Sequence, residues 1–254
     1  MKIAVSSATF AQAIAAGELT QLEWLDVCAN ELEADAVVFD AAQFPRTDGE
    51  YLAQLKKTAV DLGLAVAGVA ADGLLLEEGE NWLAVADRLG APLALARAPQ
   101  ANDGPGAWGA FTDVLKMRAR DAKRRNITLA LRNVPQTLCS SIADLRRVAK
   151  DIDSAWLRFA LDLGTGRGND GSAATLAKSV IVTATFDDPA IFAGSSDRFA
   201  SDLIAELARF RGCVLLDCTI AAETPQNSAT RGTFHKALRR FADLRARSLT
   251  AAAS

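Results

Sequence analysis

Eight short runs of aliphatic and β-branched residues alternate with longer stretches of helical period along the whole chain. The runs are KIAVSS (2–7), DAVVFD (35–40), LAVAGVA (64–70), PLALARA (92–98), ITLALRN (127–133), LRFALDL (157–163), SVIVTAT (179–185) and CVLLDC (213–218). Between and after them lie TQLEWLDVCANELE, GEYLAQLKKTAVDLG, NWLAVADRLG, FTDVLKMRARDAKRRN, SIADLRRVAKDI, DRFASDLIAELARFRG and TFHKALRRFADLRAR. In the first of these, Leu22, Leu25, Cys28, Ala29 and Leu32 recur at three- and four-residue steps, which is the helical period. Asp48, Ser141 and Ser195 or Ser196 stand where N-caps belong, and Gly63, Gly90 and Gly212 stand just past helix ends. The stretch after the sixth run, SAATLAK, is barely two turns.

Eight strand–helix units in 254 residues fit a single α/β domain, a (β/α)8 TIM barrel spanning residues 1–254. A doubly wound open sheet uses the same units and is the competing arrangement. No linker, composition shift or low-complexity block divides the chain.

In a barrel of this type chemistry belongs where strands end, at the carboxyl face. The polar residues at those ends are Ser6, Ser7, Asp40, Arg97, Arg132, Asn133, Asp162, Thr183 or Thr185, and Asp217. Strand alternation narrows the set. Leu157, Phe159 and Leu161 share one parity and should face the helices, which turns Arg158, Ala160 and Asp162 inward. The same alternation turns Thr128, Ala130 and Arg132 inward, and Asp217 with Leu215. Arg132, Asp162 and Asp217 should therefore converge on one mouth, whereas the parity of Arg97 is ambiguous.

Other features exclude whole classes of function. Half the residues are hydrophobic and the net charge is −3, so nothing global favours nucleic acid or a membrane surface. The basic stretches KMRARDAKRR and HKALRRFADLRAR read as solvated helix faces. The start, MKIAVSSATF, does not resemble a signal peptide, and no stretch approaches the roughly 20 apolar residues of a membrane span. Cys28, Cys139, Cys213 and Cys218 form no CxxC pair, so reduced thiols in a cytoplasmic protein are expected. The single histidine, His235, lies in the last helical stretch, which leaves Ser–His and Cys–His schemes without a base and a histidine zinc site without a second imidazole.

These motifs, in this order, resemble the sugar phosphate isomerase/epimerase family, the xylose isomerase-like TIM barrels. KIAVSS, ADAVVFDAAQFP, ITLALRN, LRFALDLGT and RGCVLLDC carry the resemblance over most of the chain. It implies an isomerase or epimerase acting on a sugar, with Mn or Mg held by a glutamate ending strand five, an aspartate ending strand six, a histidine ending strand seven and a glutamate ending strand eight. Here the first position holds Arg132, the second Asp162, the third Thr183, Ala184 or Thr185, and the fourth the shorter Asp217. Family members also place an acid and a histidine at the end of strand two, where this chain has Asp40 and Gln43.

Arginine keeps its proton at any working pH. A divalent cation beside it would meet repulsion of several kcal/mol even at an effective dielectric near 20. The guanidinium can instead donate in a fork to Asp162, Asp217 or both. The expectation is therefore a degenerate, metal-free site without cofactor, in which a carboxylate pinned by arginine has a lowered pKa and makes a poor base. Arg132, Asp162, Asp217 and Asp40 are the candidate catalytic residues. Gln43, Arg97, Trp108, Asn133 and Thr185 are candidate contacts to a carbohydrate or anionic ligand, Trp108 by stacking on a sugar face or, alternatively, by packing. GRGNDG (166–171), with Asp187 and Asp188 after the next strand, matches dinucleotide-binding spacing, but its short following helix favours a loop over the mouth. Two functions stay open: a metal-free isomerase or epimerase, or a catalytically inactive barrel serving as a ligand-binding or protein-interaction module. The oligomeric state is not legible.

Overall fold

The computed structural model describes residues 2–75, 81–101, 104, 106–162, 179–186, 210, 212–218, 239 and 243. Its strands are β1 (Lys2–Ser6), β2 (Ala36–Asp40), β3 (Ala65–Ala71), β4 (Leu93–Arg97), β5 (Thr128–Arg132), β6 (Leu157–Asp162), β7 (Ser179–Phe186) and β8 (Cys213–Cys218). Each pairs in parallel with the next, and β8 pairs with β1, so the sheet closes in chain order. A closed parallel barrel excludes the open doubly wound sheet.

Six α-helices are described: α1 (Ala11–Ala15), α2 (Gln21–Asp26), α3 (Gly49–Asp61), α4 (Trp82–Leu89), α5 (Ala107–Arg124) and α6 (Ile142–Ile152). Their starts follow the capping chemistry of the sequence. Thr20 and Glu23 make a capping box on α2, Ser141 and Asp144 make one on α6, and Asp48 accepts from the Tyr51 N–H at the start of α3. Gly90 closes α4 at φ +72°, in the left-handed region where a side chain is strained. The long helix expected over 20–33 is α2 followed by a π turn, Val27–Glu31, which buries Cys28. The helical stretches after β6, β7 and β8, apart from Phe210, Gly212, Arg239 and Asp243, lie outside the described residues, as do the 166–171 segment, His235, Asp187 and Asp188.

Alternation along the strands separates two cores. Leu129, Leu131, Leu157, Phe159 and Leu161 join the helices in the outer core. Ala4, Ala36, Val38, Leu95, Ala130, Ala160, Ile181 and Leu215 fill the barrel interior. Inward parity is thereby fixed for the strand-end residues two positions further on, including Arg132, Asp162 and Asp217. Cys28, Cys139 and Cys213 are buried free thiols. Burial pushes Cys139 and Cys213 up to about 12, far from reactive thiolates. Among the described residues, no helix is long and apolar enough to cross a membrane.

Candidate active site at the barrel mouth

Register places the polar ends on the rim. Arg97 is the partner of Arg132, Asp162 of Thr183, and Thr185 of Asp217. Leu95 lies in the interior core and Arg132 is itself inward, so Arg97 shares the inward parity that the sequence left open. Of Thr185 only the backbone is described. Thr183, completely buried, is the described polar side chain near the mouth end of β7.

Arg132 reaches Asp217 from the opposite side of the mouth, with Nη2 3.9 Å from Oδ2. This is one long contact, and the forked salt bridge expected from the sequence is not formed with Asp217. Arg132 Nε, Asp217 Oδ1 and Thr183 Oγ1 are buried without hydrogen-bond partners among the described residues. Buried polar atoms in that condition are costly.

The long contact decides the electrostatics. Asp217 is 8% exposed, and burial raises its pKa; Arg132 pulls it down by less, while Asp40 and Asp162 push it further up. Asp40 is raised as well, chiefly by burial and secondarily by Asp72, against the Ala42 N–H and Arg132. The expectation that arginine would hold the site's carboxylates low is thus overturned for Asp217. A guanidinium at this distance does not offset the lost hydration. Both carboxylates are shifted toward the range where a general base or acid is effective.

Asp40 ends β2 and starts a short turn, Ala41–Gln43. Its Oδ1 accepts from the Ala42 N–H at 2.9 Å and its own N–H donates to Ser7 Oγ at 2.7 Å. Ser7 Oγ in turn donates to Gln43 Oε1 at 3.5 Å, so Gln43 braces this corner. Arg97 pairs with Asp72 at 3.2 Å, and Gln100 accepts from its Nη2 at 3.0 Å.

Two candidate contacts are corrected. Asn133 does not offer its amide to the mouth. Its Nδ2 donates to the Asp162 carbonyl at 3.0 Å and its Oδ1 accepts from the Asp162 N–H at 2.7 Å, tying the end of β5 to the end of β6. Trp108 lies between α5 and α6, where its Nε1 donates to Asp151 at 2.9 Å and the Arg147 guanidinium covers its ring at 3.9 Å. Its face and its donor are both engaged, which is the packing alternative.

Among the described residues, the mouth offers the Asp40, Asp162 and Asp217 carboxylates and the Thr183 hydroxyl beside a fixed positive charge, a set that does not suit a hard divalent cation.

No protein-family model matches the chain, and no curated protein matches it in sequence. Solved structures match it in shape. The 3-keto-D-glucoside 4-epimerase YcjR of E. coli, in its apo form, superposes with a TM-score of 0.66 at 20% identity, over 94% of this chain and 99% of that one. The IolI protein, solved with a bound zinc atom, gives 0.72 at 14% identity over 97% and 99%. A D-psicose 3-epimerase solved in the presence of D-fructose gives 0.70 at 13% identity over 98% and 98%. The chain is a (β/α)8 barrel with its ionisable strand ends gathered at one mouth. In fold it is similar to these two sugar epimerases and to a xylose isomerase-like TIM barrel.

Proposed function

We propose that this barrel is a sugar isomerase or epimerase whose Arg132 takes the part played elsewhere by a divalent metal. The 3.9 Å approach of Arg132 to Asp217 carries the reading, because it sets a permanent cation among the strand-end carboxylates. In the reaction a carboxylate removes the proton from the carbon beside the substrate carbonyl. The bonding electrons move onto the carbonyl oxygen, where the Arg132 N–H groups hold the developing charge, and the proton returns to carbon or oxygen. Asp217 and Asp40, both with raised proton affinity, are suited to take and return it. Asp162 completes the rim under the Asn133 clamp.

The charge balance supports a neutral sugar over a sugar acid. Asp40, Asp72, Asp162 and Asp217 face Arg97 and Arg132 at the mouth of the described structure, so carboxylates outnumber guanidiniums. A second reading, sugar binding without turnover, draws support from Asp40, whose Oδ1 is already committed to the Ala42 N–H.

Elemental analysis of the purified protein, followed by an epimerase screen of ketohexoses and aldoses with EDTA or added Mn²⁺, tests the proposal. Turnover that survives EDTA supports it, and stoichiometric metal with Mn²⁺-dependent turnover overturns the metal-free site. Saturable sugar binding with no turnover of any sugar leaves the second reading.

A further inference from the structure

Arg97 is a second guanidinium at the mouth and takes no part in the proposed reaction. It ends β4 with inward parity, as the register partner of Arg132 on β5. From there the two side chains diverge. Arg132 reaches Asp217 on β8, whereas Arg97 Nη1 donates at 3.2 Å to Oδ2 of Asp72, the residue just beyond β3. In a closed barrel of eight strands in chain order, β8 lies opposite β4. The guanidinium tips are therefore held toward opposite sides of the mouth.

Arg97 is also fixed in advance. Its Nη2 donates to Gln100, whose own amide nitrogen donates to the Gln136 carbonyl at 2.9 Å. That carbonyl accepts from the Ala101 N–H as well, at 2.9 Å, so the loops after β4 and β5 are joined behind the guanidinium. These bonds occupy one N–H on each Nη, and a guanidinium has more to give. Its Nε has no acceptor among the described residues and, unlike Arg132 Nε, is not sealed from solvent; the side chain is 32% exposed.

We propose that Arg97 is a specificity-determining residue, which donates to hydroxyl oxygens at the end of the sugar remote from its carbonyl and so selects longer ketoses. The inference rests on the sugar site proposed above, where the carbonyl lies against Arg132. Asp72 balances the Arg97 charge, so the pair offers donors without a net attraction for anions, which suits hydroxyls over phosphate or carboxylate. Because Asp72 and Gln100 already hold the guanidinium, little ordering is left for the ligand to impose.

The test is a ladder of ketoses, each longer by one hydroxymethylene: dihydroxyacetone, L-erythrulose, D-ribulose and D-fructose. Affinities are read by NMR titration of the ¹⁵N-labelled protein, without reference to turnover. In the parent, affinity should rise at least about tenfold from dihydroxyacetone to D-fructose. Arg97→Met should flatten the ladder, with D-fructose losing far more than dihydroxyacetone; a purely structural role would weaken every rung alike. If that variant does not fold, the parent's Arg97 Nε–H signal decides: it should shift saturably with D-fructose and stay in place with dihydroxyacetone. A ladder that is flat in the parent or keeps its slope in Arg97→Met, or an Nε–H signal indifferent to chain length, overturns this inference alone. So does a preference for D-fructose 6-phosphate over D-fructose that Arg97→Met removes, because Arg97 would then read phosphate. No binding of any ketose overturns the sugar site itself, and this inference with it.

Discussion

Arg132 Nη2 lies 3.9 Å from Asp217 Oδ2, so a side chain from β5 spans the mouth to one from β8. The contact is close enough to pull the Asp217 pKa down and too long to cancel the cost of burying the carboxylate.

Replacing the cation with an acid should restore metal binding. In Arg132→Glu a third carboxylate joins Asp162 and Asp217, and the repulsive charge is gone. Mn²⁺ affinity measured by calorimetry should rise by at least about tenfold over the parent, roughly 1.4 kcal/mol. Equal affinities would show that Arg132 does not govern metal access.

The pH dependence of stability should carry the mark of Asp217. Its folded pKa is raised by burial from the ordinary 3.8, so the folded protein keeps a proton that the unfolded chain has released. Across that interval the folded state binds more protons, and stability falls as pH rises above the unfolded value. Asp217→Asn removes this loss. Its melting temperature should exceed the parent's at pH 7, and the two should converge below about pH 4. A variant that melts lower at pH 7 would mean that attraction to Arg132 outweighs desolvation.

Asn133→Ala should cost about 2–4 kcal/mol in denaturant unfolding, because it removes the side-chain hydrogen bonds to both the N–H and the carbonyl of Asp162 in a buried setting. Hydrogen exchange at the Asp162 amide should quicken with it. Sugar affinity should fall too, since Asp162 loses its brace. Unchanged exchange at that amide would show that the clamp contributes nothing.

Trp108→Ala should lower stability by roughly 1–2 kcal/mol through the lost Arg147 and Phe111 contacts. Sugar affinity, followed by calorimetry, should not change. A loss of affinity without a loss of stability would return Trp108 to the ligand.

The barrel and its rim were legible because they depend on periodicity. The strand limits fall within about a residue of the apolar runs, and the inward set Ala130–Arg132, Ala160–Asp162 and Leu215–Asp217 follows from alternation alone. What was not legible depends on distance between strands. Arg97 took its parity only from pairing with Arg132. Asn133 looks like any polar strand end until the neighbouring backbone of Asp162 is in place to receive both ends of its amide. The sign of the Asp217 shift turned on a separation that no residue pattern encodes.

The alanines inside the barrel have a bearing on how such a protein can change. Methyl groups of Ala4, Ala36, Ala130 and Ala160 pack beneath the rim, while the ionisable side chains each stand at or next to the end of a different strand. Retyping Arg132 or Asp162 therefore disturbs no large side chain directly below it, since Ala130 and Ala160 stand there. Chemistry and foldedness are held in separate storeys, and a barrel built this way can trade a metal ligand for an arginine without dismantling its foundations.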